Sequence, residues 1–206
     1  MMTLIFVIIT SAISVLAFSN EQIFSKLQFN PYQVYHRKEY YRLLTHGFIH
    51  ADWVHLFVNM LVLYSFGTVV EGYFQQLETE GLMHFANAWF TFMYLSAIVV
   101  SSLTTLKKYK DNILYNSVGA SGGVSAVLFC SIFFAPYNKI SLYAVLPIPG
   151  IVFGVLYLIY SQYMNKKNID NVNHDAHFIG AVYGFLFPLL IKLNLVYFFI
   201  NQLLNR

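Results

Sequence analysis

Gly119-Ala120-Ser121-Gly122 opens one uncharged stretch of this chain, and Ala176-His177-Phe178-Ile179-Gly180 opens another. The reading of the fold works outward from these two pieces. Each stands at the mouth of a hydrophobic segment, so a serine and a histidine arrive at one depth of what looks like a membrane. A serine hydroxyl is a poor nucleophile until a base accepts its proton, and an imidazole with a near-neutral pKa suits that task. Taken alone, small residues at a helix start serve packing. A histidine at matching depth turns the reading towards catalysis.

The composition supports a membrane setting. Of 206 residues, 58% are hydrophobic and 10% charged, against about 25% charged in ordinary soluble domains. Each span needs about 20 apolar residues, so one bundle uses up the length and residues 1–206 read as a single domain. The formal charge of +3 is small and no basic run stands out, which sets nucleic acid aside as a partner. Cys130, the single cysteine, excludes an internal disulfide and reads as a small buried hydrophobe. Met1–Asn20 lacks a basic start and a small-residue cleavage site, and so reads as a retained first span.

Charge-free stretches predict six helices, at about 2–18, 54–70, 84–106, 119–136, 148–164 and 176–193, in an all-α, polytopic membrane bundle. Residues 19–53 form a long first loop rich in aromatics, expected to lie on or partly in the membrane. After Lys192 an uncharged tail, Leu193–Asn205, either extends the last span or lies at the interface. No internal repeat supports a transporter architecture. With six spans, the even-numbered ones all start on one face. That topology gathers His55 and Asn59 on the second, Ser121 on the fourth and His177 on the sixth.

Gly119 and Gly122 flank the serine without side chains, leaving backbone N–H groups near a helix start free to face an oxyanion. Gly180 and Gly184 follow His177 at i+3 and i+7, a spacing that lets the last span approach the fourth closely. His55 and Asn59 share a helix face. They are either oxyanion donors, worth about 2.7–4 kcal/mol each, or interhelical polar glue, worth about 0.6 kcal/mol. Asp175 lies at a loop edge, which favours a Ser–His dyad over a triad.

These residues resemble the rhomboid family of intramembrane serine proteases. Arg42-Leu43-Leu44-Thr45-His46-Gly47-Phe48-Ile49-His50, His55-Leu56-Phe57-Val58-Asn59-Met60 and Gly67-Thr68-Val69-Val70-Glu71 look like that family's first loop and second helix. Gly119-Ala120-Ser121-Gly122 looks like its nucleophile motif, and Ala176-His177 with Gly180 and Gly184 like its base helix. The resemblance covers about residues 40–190. It implies Ser121 as nucleophile, His177 as base, and an oxyanion site from His55, Asn59, the Ser121 N–H and the Gly122 N–H. It also implies that Arg42, His46, His50 and Glu71 hold the loop and helix ends together. The implied substrates are transmembrane proteins, cut without metal, nucleotide or other cofactor, and the implied setting is the lipid bilayer of a bacterial plasma membrane.

Three positions depart from the family pattern. Tyr41-Arg42 stands where a Trp-Arg pair is usual. Ser125 stands where the family carries an aromatic that stacks on the histidine, and Tyr157 or Tyr160 of the fifth span is the expected substitute. Finally, Lys/Arg at 26, 37, 38, 42, 107, 108, 110, 166 and 167 lie on the active face, against 139, 192 and 206 opposite. The positive-inside rule then turns the site towards the cytoplasm, whereas the resemblance turns it outward; the outward orientation is preferred because an embedded loop can escape the rule. Two other classes compete. One is a catalytically silent relative that binds or escorts membrane clients. The other is a membrane metalloenzyme using His46/His50 and His174/His177 as histidine boxes, although few further ligands are at hand. Nothing in the sequence sets an oligomeric state.

Overall fold

The computed structural model describes residues 1–142, 146–167 and 172–204. Its helices are α1 (Met2–Phe18), α2 (Glu21–Leu27), α3 (Pro31–Arg37), α4 (Arg42–Thr45), α5 (Trp53–Thr79), α6 (Ala86–Tyr109), α7 (Ser121–Phe134), α8 (Gly150–Lys167), α9 (His174–Ile191) and α10 (Leu195–Leu204). Among the described residues, α5, α6 and α9 are long and apolar enough to cross a bilayer, and α1, α7 and α10 are shorter apolar helices. The chain is thus a mostly helical membrane protein. Large apolar side chains such as Ile8, Leu16, Phe57, Leu61, Phe92, Ile159 and Leu190 stand exposed on the outside of the bundle. In water they would form an unsupported apolar surface; against lipid they need no cover.

At the centre is α7, buried along its whole length after Ser121. It packs most extensively on α9, then on α5 and α6. Its surroundings include Leu63, Phe74, Tyr94 and Phe187, all fully buried. The outer helix α8 buries Gly150, Gly154 and Ser161 and leaves most of its other side chains half-buried or exposed.

The long first loop is not structureless. It folds into α2, α3, α4 and a 3-10 turn at His46–Phe48, and side-chain caps explain why. Asn20 accepts the Gln22 and Ile23 N–H groups, while Asn30 accepts that of Gln33 with Pro31 in the first turn. Both are helix-start signals that act without apolar periodicity.

The charge-based expectations also differ from the structure at α5. This helix runs on past residue 70 because Glu71 does not end it. The Glu71 carboxylate is buried and accepts the backbone N–H groups of Met2 and Thr3 (3.2 Å), capping α1, whose own first turn has no acidic residue.

A two-stranded antiparallel hairpin, β1 (Lys139–Leu142) and β2 (Leu146–Pro149), joins α7 to α8 and falls outside the expected all-α class. Pro147 and Pro149 lie in β2, where a two-stranded ribbon tolerates residues without an N–H. The tail is a separate helix: Lys192 turns extended (φ −156°, ψ 117°), ending α9 before α10 begins. Arg206 lies outside the described residues.

Candidate active site

The site is built around the turn that leads into α7. Gly119 has φ +118°, a conformation that side-chain-bearing residues rarely adopt. Space excludes a side chain as well, since a Cβ there would lie 2.7 Å from His55 Cε1 and 2.9 Å from His55 Nε2. Three backbone attachments fix this turn to the first loop. Ser117 and Phe29 exchange N–H···O bonds, each 3.0 Å, the Gly119 N–H donates to the His46 carbonyl (2.9 Å), and the Ala120 N–H donates to His50 Nε2 (3.3 Å).

His50 is fully buried, and its tautomer follows from its partners. Ser14 Oγ donates to the Phe48 carbonyl (3.0 Å) and lies 3.0 Å from His50 Nδ1, so Nδ1 carries the proton and Nε2 is left to accept from Ala120. Burial, then the neighbouring His55, pushes the His50 pKa well below the ordinary imidazole value. His46 is likewise held neutral by burial, with Nε2 2.9 Å from Ser102 Oγ on α6. A metal bound by these two histidines would have to displace such bonds.

Arg42 fastens the loop from behind. Nη1 donates to the Ser25 and Gln28 carbonyls (both 2.8 Å), and Nε donates to Glu39 (2.6 Å). Thr45 Oγ1 adds a bond to the Leu27 carbonyl (2.9 Å). The last carbonyls of α2 are satisfied in this way by α4.

Three features surround Ser121. The N-cap residue Ala120 makes no side-chain cap bond, which leaves the N–H groups of the first α7 turn without a capping oxygen. His55 sits beside Gly119; its Nδ1 accepts a long bond from the Ala51 N–H (3.5 Å), which favours a proton on Nε2, the nitrogen nearer the turn. One helical turn on, Asn59 is buried and donates through Nδ2 to the His55 carbonyl (2.9 Å).

His177 enters with α9, whose start is fixed on α6. Asn173 caps α9 by accepting the Ala176 N–H (3.1 Å), and Asn173 and Thr105 exchange side-chain bonds of 2.9 and 3.2 Å. The α7 and α9 backbones then touch. A Cβ at Gly180 would overlap the Gly122 carbonyl, and one at Gly184 would overlap the Ala126 carbonyl. A Cβ at Gly122 would overlap Ser101 and lie 3.6 Å from the Ala176 carbonyl. Ser121 and His177 are the chain neighbours of that Gly122–Ala176 contact. Asp175 is turned to Asn165 (2.7 Å) and Lys108 (3.9 Å). The ring stacked on His177 comes from Tyr157 (centroids 6.4 Å, 21° between planes), while Tyr160 meets His174 edge-on at 5.8 Å.

Sequence reasoning passed over Ser14 and Thr105, both of which fix the parts that carry the candidate groups. Ser14 and Thr105 did leave a signal, as polar residues inside otherwise apolar helices. The Phe29–Ser117 bridge uses backbone alone and leaves none.

Comparison with known proteins gives a family and two curated relatives. A family model described as Rhomboid domain matches residues 37–194. Rhomboid protein 1, mitochondrial, of Saccharomyces cerevisiae is 36% identical over 107 residues, covering 50% of this chain and 28% of the yeast protein. RHOMBOID-like protein 12, mitochondrial, of Arabidopsis thaliana is 27% identical over 143 residues, covering 68% of this chain and 43% of the plant protein. The chain therefore spans less than half the length of either relative. Both names place the relative in mitochondria, which lends no support to a bacterial plasma membrane.

Proposed function

The chain belongs to the rhomboid family, and from that premise we propose that it is an intramembrane serine endopeptidase with Ser121 as nucleophile and His177 as general base. The observation that carries this reading is the backbone contact of α7 and α9 at Gly122 and Gly180, which brings the starts of the two helices together. In this reading α1, α5, α6, α7, α8 and α9 cross the bilayer as one domain. With 14 residues, α7 is about 21 Å long, short of a hydrocarbon core of about 30 Å, which leaves room for Ser121 to lie below the surface.

The chemistry follows from the groups present. Ser121 Oγ attacks the carbonyl carbon of a peptide bond in a transmembrane protein while His177 takes the hydroxyl proton. The oxygen that becomes negative is stabilised by the Ser121 and Gly122 N–H groups at the uncapped α7 start, by His55 Nε2–H, and by Asn59 after its amide turns from its own helix. Collapse of the intermediate expels the amine, which takes the proton from His177 and leaves an acyl ester on Ser121. A water molecule, deprotonated by His177, then attacks the ester; Ser121 recovers its proton and the new carboxyl end departs. Asn116, Ser117, Asn173 and His174 supply polar surface near the site to hold such water.

Substrate arrives sideways from the membrane. A cavity of about 690 Å³ lies beside α5, lined by Val58, Leu61, Phe66, Leu128 and Ile132, by Ile140 of β1 and by Phe153 of α8; it does not reach Ser121, but it leaves space on the flank between α5 and α8 where this route would run. Cross-linking α5 to α8 should therefore block cleavage of transmembrane substrates.

The decisive experiment pairs a transmembrane reporter with a serine-directed fluorophosphonate. Ser121→Ala and His177→Ala are each expected to abolish reporter cleavage while the protein still accumulates, and His177→Ala to abolish labelling of Ser121. Variants that both cut like the parent would defeat the proposed mechanism. A parent chain that neither cleaves nor labels, yet retains membrane clients, would point to an escort role.

A further inference from the structure

The protease reading leaves open what aims His177 at Ser121, and this inference rests on that reading. We infer that Tyr157 is a positioning residue for His177, and that its dependence on α8 puts the general base in place only while α8 is docked on the bundle.

A general base has to hold one ring nitrogen towards the nucleophile, so rotation of the imidazole costs rate. Asp175, the nearest acid in sequence, is committed to Asn165 and Lys108. Two of the described rings lie against His177: Tyr157 is near-parallel to it, and His174 meets it edge-on with centroids 5.9 Å apart. Only His174 belongs to the same helix. Tyr157 reaches across from α8.

Tyr157 is itself held from two directions. Its hydroxyl is 2.8 Å from Ser125 Oγ, and Ser125 lies one turn beyond Ser121 on α7, on the same side of the helix. Phe129 (5.5 Å) and Phe153 (5.8 Å) border its ring. The hydroxyl pair therefore ties α8 to the nucleophile helix one turn from the nucleophile, and the same tyrosine ring lies over the base. The pairing continues along the two antiparallel helices, since Tyr160 of α8 meets His174 of α9 and Asn165 of α8 meets Asp175 of α9.

The helix that carries these groups is itself lightly held. Val152, Val155, Leu156, Ile159, Tyr160 and Tyr163 are exposed along it, and among the described residues it packs on α9 and only slightly on α7. If α8 moves outward to admit a substrate, the Ser125 bond breaks and the ring leaves His177. Return of α8 restores both. Ser121 is then reactive in the closed state and disarmed while the passage is open.

The test measures kcat and KM on a transmembrane reporter, together with the rate of fluorophosphonate labelling. Tyr157→Ala should lower kcat and labelling roughly 10- to 100-fold, from the lost ring contact and hydroxyl bond, with KM little changed. Tyr157→Phe and Ser125→Ala should each cost about three- to tenfold, and their combination no more than either alone, because they remove one bond from its two ends. Ser125→Tyr in the Tyr157→Ala background returns a ring from α7 and should recover much of the lost kcat. Cross-linking Asn165→Cys to Asp175→Cys holds α8 closed; it should block the reporter while small-probe labelling continues at or above the parent rate.

With Ser121→Ala inactive as control, a parent-like kcat in Tyr157→Ala overturns the positioning role and leaves the protease reading intact. Additive losses in the Ser125/Tyr157 pair, or labelling that stops when α8 is locked, also overturn it. Cleavage that survives Ser121→Ala removes the protease reading itself.

Discussion

The two sides of the candidate site are held in different ways. On one side, the turn before Ser121 is attached to the first loop through Phe29, the His46 carbonyl and the His50 ring, and Arg42, Thr45 and Ser14 secure that loop in turn. On the other, among the described residues, α8 meets the site through a hydroxyl pair, a few rings and an amide–carboxylate bond. Buried, directional bonds on the first side cost free energy to break and have no water to replace them. The second side has fewer such bonds, and its ring contacts can part and re-form in lipid. The comparison suggests a nucleophile fixed in place and a base that one helix can release.

The sharpest test of this contrast sets one substitution at a fixed backbone contact, that of α9 with α7, against the same substitution on α8. Gly180→Ala puts a methyl group onto the Gly122 carbonyl, a backbone atom that cannot step aside; α9 must separate from α7, and a large loss of folded protein and all activity are expected. Gly154→Ala on α8 places its methyl 3.3 Å from Phe129 and 3.4 Å from Ile132, side-chain atoms that can give by a few tenths of an ångström. Near-parent yield and activity are expected there. Thermal unfolding in detergent, with reporter cleavage, checks both, and equal outcomes would erase the distinction between the two interfaces.

A smaller effect is expected from His50→Ala. It leaves the buried Ala120 N–H without its acceptor and Ser14 without its ring partner, at about 1–3 kcal/mol for a group left unsatisfied. The Ser121 turn should loosen, so kcat should fall along with the unfolding temperature. Ser14→Ala keeps the Ala120 bond and should cost less. An Ser14→Ala variant as damaged as His50→Ala would show that the ring serves α1 packing rather than the turn.

How much of this could be read beforehand depends on which forces did the work. Apolar runs located the long helices, and glycine spacing pointed to the closeness of α7 and α9, because excluded volume leaves a mark on residue type. Charge was a poor guide to helix ends: Glu71 continues α5 because it caps α1 from inside the bundle. The first loop's helices were signalled by Asn20, Asn30 and Pro31, local capping cues rather than periodicity. The strands β1 and β2 carry two prolines and little alternation, so they left no clear pattern. The ring that replaces one at 125 was narrowed in advance to Tyr157 or Tyr160; the choice of Tyr157, and its bond to Ser125, needed the third dimension.

The gentlest way to probe the fixed side is acid. His46 and His50 are held below their ordinary pKa of about 6.5, chiefly by burial. Both are neutral in the folded loop, whereas an undocked loop exposes them to water, where they protonate normally. The undocked form thus binds more protons as the pH falls from about 6.5 towards the depressed values, and docking weakens through that window; above it the full contribution is present. Hydrogen exchange at Gly119 and Ala120 should therefore speed up between pH 7 and 5, after correction for the intrinsic rate, while exchange along the Tyr157 turn of α8 stays level. His46→Gln should flatten part of this slope. A slope that persists in His46→Gln/His50→Gln would assign the acid sensitivity to other groups, and with it remove the loop histidines as the reason the nucleophile side is firm.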